Sequence, residues 1–208
     1  MTTPAQLMNV IELIARALNA EGVRYVFAGS LSSFIQGCEI TPGDIDILVS
    51  KPEDVHKIGK IFEEFLTKDE SLDELNTSME DWYSSASTPT RTFTDFSKNH
   101  WTFARLVVHG IEFEAACIQP PEHIEYIPGS GFWENGPHVW EHIVSVPYKD
   151  MMLPVIPLEI QLETNMNRNL EDRIYKIISI FQTEGYNEEL VGYALNEKNR
   201  LRLKEILT

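Results

Sequence analysis

The stretch FAGSLSSFIQGCEITPGDIDILVS, residues 27–50, decides the fold. A β-rich run from Val23 to Ala28 stops at Gly29-Ser30, and a short helical turn begins at Leu31 and ends near Gly37. The N–H groups at such a helix start, with no Cβ at Gly29, can approach a phosphate closely. Pro42-Gly43 turns the chain into Asp44-Ile45-Asp46-Ile47-Leu48-Val49, where acids alternate with aliphatic residues. In a strand, residues i and i+2 share a face, so Asp44 and Asp46 point one way and Ile45 and Ile47 point into the core. Two carboxylates so placed repel each other unless a cation lies between them, and hard oxygen donors suit Mg²⁺ or Mn²⁺. An isolated Asp-Ile-Asp reads as an edge strand with a solvated face. One short helix after Gly-Ser, it reads as a site.

Working outward, Thr3-Pro4 opens a helix whose apolar face is Leu7, Ile11, Ile14 and Leu18, and Gly22 closes it. Ser50 caps a second helix carrying Val55, Ile58, Phe62 and Phe65. Residues 68–99 are rich in Ser, Thr and Asp and read as a long loop. Residues 102–108 and 111–118 read as strands joined by a tight hairpin at His109-Gly110. Parity puts Ile111, Phe113, Ala115 and Cys117 on the core face of the second strand, and Glu112 and Glu114 together on the other. Parity alone does not choose between those two acids. Residues 128–137 read as a Gly- and aromatic-rich loop, 143–147 and 151–156 as short strands, and the rest as helix with Ile174, Ile177, Ile178 and Phe181 on its clearest apolar face. The pattern predicts an α+β fold: a core domain over 1–156 with a mixed sheet and helices on one face, and a C-terminal helical region over 157–208 packed on it.

The chain has 208 residues, 43% of them hydrophobic, enough for a sizeable core. With 17 Lys and Arg against 32 Asp and Glu, the net charge is -15. Binding to long nucleic acid needs clustered cations that release counterions, so DNA and RNA are disfavoured partners and a divalent cation is a natural one. Cys38 and Cys117 are too few for a disulfide framework and read as reduced thiols. There is no signal-peptide pattern and no apolar run of membrane-spanning length, so the expectation is a soluble cytoplasmic protein.

Gly29-Ser30, a spacer, and Asp44-Ile45-Asp46 resemble the signature of the DNA polymerase β nucleotidyltransferase superfamily. The resemblance is close over residues 23–49 and looser over most of the chain. It implies a nucleotidyltransferase fold in which Gly29 and Ser30 hold the phosphates of an NTP such as ATP. It also implies Mg²⁺ or Mn²⁺ on Asp44 and Asp46 and a third acid on a neighbouring strand. The resemblance points to Glu114 for that acid and leaves Glu112 as a solvated strand residue. Residues 153–159 (LPVIPLE) look like the entry to the C-terminal helices of small members. Residues 168–173 (RNLEDR) sit where many members carry an Arg and a Lys-Asp pair. The usual lysine is missing there, and Arg168, Arg173 and Lys176 are weak substitutes. The implied reaction is transfer of a nucleoside monophosphate to a small-molecule or protein hydroxyl. The rivals are a catalytically silent nucleotide- or partner-binding module, and a toxin–antitoxin nucleotidyltransferase acting on RNA or protein.

Other features carry less. His138 and His142, with Glu134 and Glu141 nearby, have helical zinc spacing but no further ligand pair. Phe132, Trp133 and Trp140 read as loop-anchoring or core aromatics. Ser30, Ser32 and Ser33 lack the Gly-x-Ser-x-Gly context of a hydrolase.

Overall fold

The first helix begins where the sequence requires. The Thr3 hydroxyl accepts from the Gln6 N–H at 3.2 Å, the Gln6 side chain accepts from the Thr3 N–H at 2.9 Å, and Pro4 follows as the first helical residue. The computed structural model describes residues 3–68, 82–121, 127–131, 134 and 137–207. It divides into two units, Met1–Val26 with Gly43–Pro121, and Phe27–Pro42 with Glu122–Thr208.

In the first unit, α1 (Pro4–Ala20) and α3 (Pro52–Ile61) accompany a sheet in the order β3 (Arg91–Thr94), β4 (His100–Val108), β5 (Ile111–Gln119), β2 (Ile45–Val49) and β1 (Tyr25–Phe27). The sheet is mixed: β3, β4 and β5 run antiparallel, and β2 joins β5 in parallel. Ile45, Ile47, Phe113 and Ala115 are buried, with Val55, Ile58 and Phe62 against them. The Phe62 ring meets Phe113 edge-on at 5.4 Å. His109 and Gly110 both take positive φ, 50° and 80°, which a two-residue hairpin of the type I′ class demands.

In the second unit Phe27, the last residue of β1, pairs in parallel with Val155 of β7 (Met151–Val155), and β6 (Val144–Tyr148) lies antiparallel on β7. Helix α2 (Gly29–Ile35) follows β1 directly. Helices α4 (Leu158–Asn167), α5 (Glu171–Glu184), α6 (Glu188–Ala194) and α7 (Glu197–Leu207) complete it. Helix α4 is buried nearly all round, including Glu163 at 0% exposure. That carboxylate accepts from the Asn196 N–H at 3.2 Å and from the side-chain amides of Asn167, Asn196 and Asn199 at 2.7 to 2.8 Å, so its burial is compensated.

The fold is α+β with a mixed sheet and C-terminal helices, as the pattern predicts. Residue 156, where the sequence reading ends the core, lies inside the second unit. Two details differ from expectation: the N-cap of α3 is Lys51 rather than Ser50, with no side-chain cap, and the stretch read as a loop over 68–99 contains β3. Its Arg-Thr-Phe-Thr has only one apolar side chain and is half-buried in alternation, so it holds through pairing with β4, which starts at His100. Residues 69–81 of that stretch lie outside the described residues. No helix among the described residues is long and apolar enough to cross a membrane.

Candidate active site

The acids of the first unit are placed by strand pairing. Asp44 stands just before β2 and Asp46 within it, between buried Ile45 and Ile47. In the parallel β2–β5 ladder Asp46 lies opposite Glu114. In the antiparallel β4–β5 ladder Glu114 lies opposite Arg105. Lateral neighbours in a sheet share a face, so Asp46, Glu114 and Arg105 form one row across three strands. Glu112, two residues from Glu114, lies on the same face opposite Val107. Pairing therefore separates the two acids that parity left equal, and Glu114 is the one beside Asp46.

Arg105 dominates the row. Its Nε–H donates to Glu114 Oε1 at 2.6 Å, and Glu112 Oε1 is 3.8 Å away. The guanidinium sits over the Phe103 ring at 5.3 Å and the Tyr83 ring at 5.7 Å. The Tyr83 hydroxyl donates to Glu112 at 2.5 Å, which pushes the phenol above its ordinary pKa. The backbone of Arg105 is clamped to Ser84: the Ser84 N–H donates to its carbonyl at 2.8 Å, and its own N–H donates to the Ser84 hydroxyl at 3.0 Å. Side-chain exposure is 13% for Arg105 and 22% for Glu114, so the pair is largely desolvated. Burial pushes the Glu114 carboxyl above the usual carboxylate value. Arg105 opposes that shift, and Asp44 and Glu112 add to it. Farther along the same face Leu48, Ala116, Phe103 and Trp82 cluster, so the acid face is partly roofed with apolar side chains.

The carboxylates of Asp44, Asp46 and Glu114 are oxygen donors of the chemical kind a hard divalent cation takes. Among the described residues no three acids already converge as a cation cage, and Glu114 is engaged on its β4 side by Arg105. Arg105 was missed at the sequence level. Its signal was there: a single charged residue inside the apolar run of residues 102–108, facing the acidic strand Ile111-Glu112-Phe113-Glu114.

In the second unit Gly29 takes φ +58° and opens α2, and the N-cap Ala28 offers no side-chain cap. The Gly29 N–H donates instead to Glu134 Oε2 at 2.8 Å, from a loop 105 positions away. Glu134 is held by Gln161 Nε2 at 2.5 Å, and its own N–H donates to the Thr164 hydroxyl at 3.2 Å. A carboxylate of the chain thus occupies the amide that the sequence reading reserves for phosphate. Ser30 is 6% exposed. Of the weaker basic candidates, Arg168 caps the C-terminus of α4, Lys176 pairs with Asp172 at 2.7 Å, and Arg173 lies in α5. His138 lies in a 3-10 turn, and the His142 ring meets Tyr193 at 4.8 Å. Phe132 and Trp133 lie outside the described residues.

No protein-family description and no curated protein matches the chain. Its structure is similar to the crystal structure of a Thermotoga maritima protein assigned provisionally as a nucleotidyltransferase, at 20% identity and TM-score 0.55, over 87% of this chain and 96% of that one. At this identity the likeness is one of fold, and the fold the two share is the nucleotidyltransferase fold.

Proposed function

We propose that the chain transfers a nucleoside monophosphate from an NTP to a hydroxyl acceptor, releasing pyrophosphate. The observation that carries this reading is the row of Asp46 opposite Glu114 on parallel strands, with Asp44 at the entrance to β2. Asp44 and Asp46, joined by Glu114 when it leaves Arg105, would hold Mg²⁺ or Mn²⁺, whose charge offsets the triphosphate and lowers the pKa of the acceptor hydroxyl. Glu114 is also the group nearest in type to a general base for that hydroxyl, since its carboxyl already sits above the usual value. Gly29 and Ser30 carry over from the resemblance as contacts to the β- and γ-phosphates. The contact of the Gly29 N–H with the Glu134 carboxylate supports this, since it is the kind of bond a phosphate oxygen would accept. Positioning and charge would supply most of the rate.

The acceptor we favour is a small molecule or protein, not a long nucleic acid, because the net charge is -15. A polycationic hydroxyl compound such as an aminoglycoside suits Glu112 and its acidic neighbours best. The acids of residues 69–81, which would add to that attraction, lie outside the described residues. Incubation with labelled NTPs, Mg²⁺ and a panel of tRNA, aminoglycosides and cell proteins tests the reading. The expected result is label on an aminoglycoside or protein that Asp46→Asn removes. Label on tRNA alone would move the toxin reading to first place.

One rival has an observation in its favour. Arg105 on Glu114 and Glu134 on Gly29 are the contacts expected of a silent module that kept the fold. Calorimetry separates the two: NTP affinity equal in EDTA and in Mg²⁺, with no transfer to any acceptor, would select the silent module.

A further inference from the structure

We propose that Arg105 is a positioning residue that holds Glu114 in the metal-free chain and yields it to a divalent cation, with Glu112 as the second seat of the guanidinium. This rests on the reading of Asp44, Asp46 and Glu114 as metal ligands.

The geometry supplies each part. Carboxylates on adjacent strand positions repel one another, so the row needs a counter-charge when no cation is bound. Arg105 supplies it at 2.6 Å from Glu114, from β4, on the side of β5 away from Asp46. That contact engages Oε1 of a carboxylate that a cation would otherwise find available. A guanidinium is a planar fork with several N–H donors, so it can serve two acids from one position. The second acid is in place: Glu112 Oε1 lies 3.8 Å from Nε, and Tyr83 holds Glu112 by a hydrogen bond of 2.5 Å. Arg105 itself is not free to withdraw, because its backbone is bonded on both sides to Ser84 and its head lies over Phe103 and Tyr83. When Glu114 turns toward β2, the guanidinium keeps Glu112 as a partner. No largely buried charge is left alone, and the exchange avoids the main penalty of breaking a desolvated pair.

The test is a titration of Mn²⁺ into the full chain without nucleotide, reading the free ion by its paramagnetic resonance signal. Wild type should bind, and Asp46→Asn should remove binding. Arg105→Gln should tighten Mn²⁺ about fivefold, the scale of one partly exposed ion pair. In a Glu114→Gln background the same substitution should change affinity less than about twofold, because contacting residues couple and the coupling has been removed. Arg105→Lys keeps the charge but loses the Nε–H, and it should tighten binding in the same direction. It serves as the second variant if thermal melting shows Arg105→Gln unfolded. Equal gains in both backgrounds would mean that Arg105 acts by charge at a distance, and would overturn the proposal. So would unchanged or weaker binding in both Arg105 variants. If wild type binds and Asp46→Asn does not, the metal reading stands whatever Arg105 does. If wild type and every variant fail to bind, the metal reading falls and takes the proposal with it.

Discussion

Asp46 of the acid row in the first unit and the Gly29 turn of the second come from one stretch of sequence, yet the row and the turn are satisfied in opposite ways. In the row, Glu114 beside Asp46 is met by a cation from the next strand, Arg105. At the turn, a backbone N–H is met by an acid from a distant loop, Glu134. Glu114 and Gly29, both drawn from the sequence as ligand contacts, are engaged by the chain itself. The difference lies in what holds the partner. Arg105 is built into a paired strand and shares its side chain between two acids. Glu134 is a loop residue held through Gln161 and Thr164 of α4, which is in turn fixed by the buried Glu163 and its asparagines. A strand partner is a local consequence of pairing, whereas a loop partner depends on a whole packed helix.

The comparison breaks most completely at Asp46. Asp46→Asn should lower Mg²⁺-dependent nucleotide binding and any transfer by about 100-fold or more, the scale seen when a group that stabilises charge in a site is removed. Calorimetry in Mg²⁺ and in EDTA measures it, and an unchanged affinity would strip the row of its metal. Next in size is Glu163→Gln, which turns an acceptor serving four N–H groups into one that can serve only part of them. It should cost about 2 kcal/mol of stability, read from urea midpoints, with Mn²⁺ binding intact. Loss of Mn²⁺ binding as well would count against a role for Glu163 confined to α4 and its asparagines.

Glu134→Ala sharpens the contrast at the turn. It removes the acceptor from the start of α2 and should cost about 1 kcal/mol, as loss of a helix cap does. It should also strengthen NTP binding a few-fold if the Gly29 amide is a phosphate contact, since an internal competitor is gone. Weaker NTP binding would detach Gly29 from the nucleotide. The smallest effect concerns pH. The native state holds the Glu114 proton more tightly than the unfolded chain does, because its carboxyl lies above the ordinary value of 4.5. That contribution to stability is full below 4.5 and is lost as pH rises through the raised native value. Glu114→Gln should therefore flatten the fall in stability just above pH 4.5, measured as urea midpoints from pH 4 to 7. Identical slopes in the two proteins would count against it.

Much of the fold follows from the sequence alone. The period of two in Asp44-Ile45-Asp46-Ile47 and in Ile111-Glu112-Phe113-Glu114 sets which side chains enter the core, and all four apolar residues there are buried. The Thr3-Pro4 start, the His109-Gly110 hairpin and the apolar stripes of α1, α3 and α5 follow from local rules of capping, turn geometry and helical period. Strand β3 was not legible, because an edge strand with one apolar residue draws its stability from its neighbour. The choice between Glu112 and Glu114 was not legible either, because parity is the same for both and only the register of β5 on β2 distinguishes them. The Arg105–Glu114 pair follows from the register that the two-residue His109-Gly110 hairpin fixes, whereas tertiary structure alone brought Glu134 onto Gly29. Hydrogen bonds of this second kind join residues that no local period relates, and a buried charge or amide takes whichever partner the packed chain brings within reach.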